Sequence, residues 1–76
     1  MFSKENVRKV IAEVLEIDDF QDADRFAEDY GVDSMMVLEL VAKLEKRFNV
    51  TINEEYYGQM GSFNEVFAII EELAGA

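Results

Sequence analysis

With 17 acids against 7 bases in 76 residues, and no histidine, cysteine or proline, the chain has room for one small domain and few groups able to perform chemistry. Its net charge of −10 excludes nucleic acid and anionic membrane surfaces as partners, because both would repel it. The missing histidine and cysteine exclude an imidazole base, a thiolate nucleophile and a thiolate metal site.

Ser3 is placed to cap a first helix running to about Glu16, in which Val7, Val10, Ile11, Val14 and Leu15 recur at three- and four-residue intervals. From Ile17 to Val32 this periodicity stops and aspartates gather, which predicts a long loop, with Phe20 and Phe26 folded inward to hold it. The stretch from Glu13 to Asp33 holds nine acids and only one base, Arg25, so it repels itself. The next helix is predicted over 34–48 and closes near Asn49, a residue tolerant of the left-handed conformation. Asn53 is placed to cap a short segment over 54–60, which Gly61 breaks. Ser62-Phe63-Asn64-Glu65 is a capping box for a last helix, striped by Phe63, Val66, Phe67, Ile70 and Leu73. The expected fold class is therefore all-α: a small four-helix bundle of three main helices and a short third one, with a long loop between the first two. It occupies residues 1–76 as a single domain and acts as a monomer. No apolar run approaches the roughly 18 residues of a membrane span, and the start Met-Phe-Ser-Lys-Glu lacks the apolar stretch of a secretory signal. The expected location is cytoplasmic.

The helix over 34–48 carries two apolar stripes. Val37, Leu40, Val41, Leu44 and Phe48 lie along one side and face the core. Met35, Leu38 and Ala42 fall on roughly the opposite side, rimmed by Glu39 and Lys46, and so read as a partner-docking surface. Methionine suits such a surface, since its flexible thioether repacks against different partners. The competing reading buries part of that strip, Leu38 first, beneath the loop or the short helix.

Gly31-Val32-Asp33-Ser34-Met35-Met36 joins the loop to this helix. Glycine supplies the tight turn, Asp33 caps the free amides, and Ser34 stands with its hydroxyl exposed at the positive end of the helix dipole. No histidine, lysine or cysteine adjoins Ser34 to activate it, so it is no triad nucleophile. Asp18, Asp19, Asp22, Asp24 and Glu28 do not form a calcium loop. Counting from Asp22, the fifth and sixth positions are Phe26 and Ala27, where a ligand and a glycine are required. No metal site is expected.

The run FAEDYGVDSMMVLELVAKLEKRF, residues 26–48, resembles the acyl carrier and peptidyl carrier protein family, whose signature is Asp-Ser-Leu followed four residues later by Glu-Leu. Asp33, Ser34 and Met35 stand for the first element, and Glu39-Leu40 for the second. The resemblance implies that Ser34 carries 4′-phosphopantetheine, with Asp33 as motif residue and helix cap. It implies that Met35, Leu38, Glu39 and Ala42 lie on the helix that partner enzymes recognise. A separate phosphopantetheinyl transferase, using coenzyme A and Mg²⁺, would install the group. An acyl- or aminoacyl-loading ligase would charge its thiol, and a downstream acyltransferase or synthase would take the cargo. The chain itself would then be a cosubstrate rather than an enzyme, with no catalytic residue. Housekeeping fatty-acid carriers usually have leucine after the serine and an acidic recognition helix. Here Met35 and Met36 follow Ser34, and Lys43, Lys46 and Arg47 join Glu45. These departures point to a specialised lipid or secondary-metabolite pathway. A D-alanyl or other aminoacyl carrier stays open, as does an unmodified acidic helical interaction module using the same strip.

Overall fold

The computed structural model describes residues 3–75. Met1, Phe2 and Ala76, the ends of the domain expected over 1–76, lie outside the described residues. Within them the regular structure is all helical. Helix α1 spans Lys4–Leu15, α2 Phe26–Tyr30, α3 Ser34–Phe48 and α4 Phe63–Gly75, and a 3₁₀ segment occupies Glu54–Gln59. The predicted helix boundaries hold because their caps hold. Ser3 Oγ accepts the Asn6 N–H at 3.2 Å, and α3 closes at Asn49 with a left-handed φ of 56°.

Helix α1 packs on both α3 and α4, and the 3₁₀ segment lies against α3 and α4. Val7, Val10, Ile11 and Leu15 meet Leu40, Val41 and Leu44 of α3 and Phe63, Val66, Ile69 and Ile70 of α4 in one core. The connections add Phe20, Phe26, Val32, Ile52 and Met60 to it. Burying a side chain of phenylalanine size contributes roughly 1.5–3 kcal/mol. Phe20 and Phe26 therefore fasten the first connection strongly, and their rings meet edge to face at 5.8 Å.

The connection expected to be loop throughout contains α2. Five residues are too few to show a period, and Phe26 is the only one of them that is buried. The helix forms because both its ends are satisfied, one of them by a residue distant in sequence. Asp29 accepts the Arg25 N–H at 2.8 Å, the Phe26 N–H donates to the Gly61 carbonyl at 2.8 Å, and Gly31 ends the turn at φ 68°. Arg8 of α1 secures the preceding residues. Its guanidinium stands 4.6 Å from the ring centroids of both Phe20 and Phe63. It also donates to the Phe20 carbonyl at 2.7 Å and pairs with Asp22. Farther on, the Tyr30 hydroxyl donates to Asp24, whose carboxylate also accepts the Gln21 N–H at 2.8 Å. These two bonds, the tyrosine's first, hold the Asp24 carboxyl below its ordinary range. In return the carboxylate pushes the Tyr30 phenol up to about 12.

Two caps differ in detail from expectation. Asn53 stands at the predicted start of the 3₁₀ segment, but its side chain makes no capping bond there. Its carbonyl accepts the Tyr56 N–H at 2.9 Å instead. At α4 the Ser62 hydroxyl accepts the Glu65 N–H at 3.3 Å as a capping box requires, whereas the returning Glu65 carboxylate takes the Gly61 N–H at 2.9 Å, one residue earlier. Glu65 is drawn there by Arg25, which pairs with it at 3.1 Å. The same ion pair ties α2 to the start of α4.

Candidate functional site

The turn into α3 is fixed from both sides. Gly31 reverses the chain in the left-handed region, and buried Val32 follows it, its N–H donating to the Phe26 carbonyl at 3.2 Å. With Val32 held inward, the next two residues face outward. Asp33 and Ser34 are both exposed. Asp33 is an N-cap in extended conformation. Its Oδ1 accepts the Met36 N–H at 3.0 Å and its carbonyl accepts the Val37 N–H at 3.1 Å.

Ser34 is the first residue of a helix of 15 residues. Its own N–H and that of Met35 belong to the helix-end amides that have no acceptor within the helix. The positive end of the macrodipole lies here, and no acid occupies the first turn of α3. An anionic group on the Ser34 oxygen would therefore sit at the helix end that favours it.

From Ser34 the outer face of α3 runs bare. Met35 is 73% and Leu38 52% exposed, and Glu39 and Ala42 are exposed beside them. Neither the loop nor the 3₁₀ segment covers the strip, so Leu38 is not the buried residue of the competing reading. On the opposite side Leu40, Val41 and Leu44 are buried, with Val37 and Phe48 partly so. An open groove of about 590 Å³ lies between α1 and α3, lined by Glu13, Val14 and Glu16 on one wall and Glu39, Ala42, Lys43 and Lys46 on the other. Ser34 does not line it.

The structure thus brings Ser34, Met35, Leu38, Glu39 and Ala42 onto one exposed helix face, headed by Asp33. Sequence reasoning missed the means by which the turn is held. Tyr30 and Asp24 carry no pattern that announces their bond, and Val32 gains its anchoring role only because Gly31 turns the chain beneath it. Tyr56 and Tyr57 are half-buried against the core. The Tyr56 hydroxyl donates to Glu72 at 3.3 Å, and that carboxylate raises its pKa.

A family model described as the phosphopantetheine attachment site matches residues 5–57. The chain belongs to this family of phosphopantetheine-binding carriers. It is similar to the acyl carrier protein of Wolinella succinogenes, with 32% identity over 69 residues covering 88% of this chain and 91% of the relative. Polyketide-8 synthase acyl carrier protein 2 of Streptomyces avermitilis is 35% identical over 75 residues, covering 95% and 85%. The solution structure of the acetyl actinorhodin acyl carrier protein from Streptomyces coelicolor superposes with a TM-score of 0.73 at 26% identity, covering 96% of this chain and 91% of that one. A chain from the structure of the ishigamide ketosynthase/chain length factor gives a TM-score of 0.81 at 22% identity, covering 96% and 94%. That last likeness shows the fold. As expected of a phosphopantetheine-binding carrier related to acyl carrier proteins, the regular structure among the described residues is all helical, and none of these helices is long and apolar enough to cross a membrane.

Proposed function

We propose that Ser34 receives 4′-phosphopantetheine on its hydroxyl, and that the chain presents a bound acyl unit to partner enzymes of a specialised lipid or secondary-metabolite pathway. The observation that carries this reading is the exposed hydroxyl at the first position of α3, directly after the Asp33 cap. The site suits the group: the helix end favours a phosphodiester, and exposure lets a second enzyme reach the oxygen. When bound, the group supplies a thiol on a flexible arm to hold the acyl unit.

The chain's own residues do the holding. Asp33 accepts the Met36 N–H and so fixes the turn. Activation of the hydroxyl falls to a separate phosphopantetheinyl transferase, which would take the group from coenzyme A with Mg²⁺. Asp29 and Asp33 stand close in sequence to the helix end and oppose a second negative charge folding onto it, so the linkage projects outward. Met35, Leu38, Glu39 and Ala42 then form the surface on which the transferase, a loading ligase and a downstream synthase dock in turn.

Intact mass tests the reading. Incubated with coenzyme A and a broad-specificity phosphopantetheinyl transferase, the chain gains the mass of one phosphopantetheinyl group, and Ser34→Ala gains none. An unchanged wild-type mass, or a modified Ser34→Ala variant, would overturn it. Loading the modified form with acyl and aminoacyl ligases then separates an acyl carrier from a D-alanyl carrier.

A further inference from the structure

Three of the seven bases are engaged within the fold. Arg8 pairs with Asp22, Arg25 reaches Glu28 and Glu65, and Lys4 sits 5.7 Å from the Phe67 ring centroid. Lys9 closes no ion pair among the described residues, and neither do Lys43, Lys46 and Arg47, although the chain holds 17 acids. The last three are exposed on α3.

Helical spacing sets Lys46 in the same outer strip as Met35, Leu38, Glu39 and Ala42, Lys43 at its border, and Arg47 farther round, on the side facing Glu13 of α1. At 1.5 Å of rise per residue the cations lie roughly 14 to 20 Å along the helix from Ser34. The strip therefore changes character along its length, apolar near Ser34 and cationic at the far end. Carboxylates do approach it. Glu39 lies within the strip, and Glu13 and Glu16 face Lys43 and Lys46 across the groove, but none reaches ion-pair distance. Glu45 is turned away, accepting the Ile52 N–H at 2.9 Å. Lys46 and Arg47 lie in the last turn, where positive charge favours the helix dipole. That role does not extend to Lys43, and it asks nothing of a partner.

We infer that the enzyme surface docking on α3 carries carboxylates opposite Lys43 and Lys46, beside an apolar socket for Met35 and Leu38. The inference rests on the carrier reading for the position of Ser34 and adds the chemistry of the partner. The overall charge of −10 attracts basic surfaces at long range, whereas this end of α3 attracts acidic ones at contact. A partner that is basic throughout would meet Lys43 and Lys46 with like charge, which is costly at an interface. The polarity of the strip thus selects one direction of α3 in the partner's groove and rejects the reverse.

Two synthetic amphipathic helical peptides test this on the unmodified, ¹⁵N-labelled chain at low salt. They share leucine and phenylalanine anchors, and their polar positions are all glutamate in one and all lysine in the other. The glutamate peptide shifts the amide signals of Lys43 and Lys46 together with those of Met35 and Leu38. The lysine peptide acts on the acidic segment 13–33 instead. Reversing the charges in K43E/K46E weakens the glutamate peptide about tenfold or more, while K43R/K46R retains it. Circular dichroism confirms that both variants are folded. Unmoved α3 signals with the glutamate peptide, or equal shifts in the reversed variant, would sink the inference. So would shifts on α3 that grow with protein concentration alone, since a second copy would then be the occupant. The readout is independent of the mass gained at Ser34, so failure of the carrier reading and failure of this one are seen separately.

Discussion

Between Glu16 and Asp33 the chain has only one short helix, yet side chains from across the molecule hold it. Arg8 lies against two rings and pairs with Asp22, Tyr30 bonds to Asp24, and Arg25 reaches Glu65. Between Met35 and Arg47 the backbone is a regular helix, yet the outer side chains of that helix form no ion pair among the described residues. Where the backbone is irregular the side chains supply the order. Where the backbone supplies its own, the outer side chains stay exposed. Ser34 sits at the seam, positioned by the first region and presented by the second.

The comparison breaks most readily at Arg8. Arg8→Ala removes two cation–π contacts, a hydrogen bond and an ion pair, and is expected to cost about 2 kcal/mol in urea unfolding. Arg8→Lys should recover only part of this, because an ammonium cannot lie flat against a ring while donating to a carbonyl and a carboxylate. A loss below about 0.5 kcal/mol, the scale of ordinary surface substitutions, would show that the segment is held by Phe20 and Phe26 alone.

Next comes the Tyr30 to Asp24 bond, which gives the first region a pH dependence. The Asp24 carboxyl is lowered from an ordinary value of 3.8, so its contribution is complete above that pH and fades as pH falls through the lowered value. The Tyr30 phenol is raised from 10.0 to about 12, so its contribution is complete below pH 10 and is lost as pH rises toward 12. Tyr30→Phe should lower the urea midpoint at neutral pH and shrink both the alkaline and the acid decline, leaving to Tyr56, which Glu72 also raises, its part of the alkaline one. Parallel curves for the two proteins across the whole range would show that the bond adds nothing to stability.

The smallest effect on stability belongs to the second region. Leu38→Glu and Met35→Glu should change stability by less than about 0.5 kcal/mol while slowing transferase modification of Ser34 in the mass assay. If both variants unfold, the strip belongs to the core and the contrast between the regions is lost.

The same contrast explains what could be read from the residues alone. Ser3, Asp33 and Asn49 are local signals whose roles depend on neighbours three or four residues away, so α1 and α3 were legible to their ends. The strip of Met35, Leu38 and Ala42 was legible because a helix makes every face periodic. Helix α2 was not, since its ends depend on Gly61, which is distant in sequence, and on a carboxylate, Asp29, that resembles every other acid in the loop. Arg8 was hidden for a related reason. On α1 it counts as one more polar position, and only the folded chain brings Phe20 and Phe63 to it. Ser34 itself was conspicuous from the turn and the family signature around it. The tethers that aim it had no local pattern.

Gly31 carries one more consequence. Its φ is 68°, and a methyl group built there would find nothing within 4 Å. Crowding therefore plays no part in the requirement for glycine at this turn, and the whole objection to alanine is one of handedness. A chemically assembled chain with the mirror-image form of alanine at position 31 would meet neither obstacle. By narrowing the unfolded ensemble it would stabilise the fold at the turn before Ser34 without crowding any residue beyond its chain neighbours.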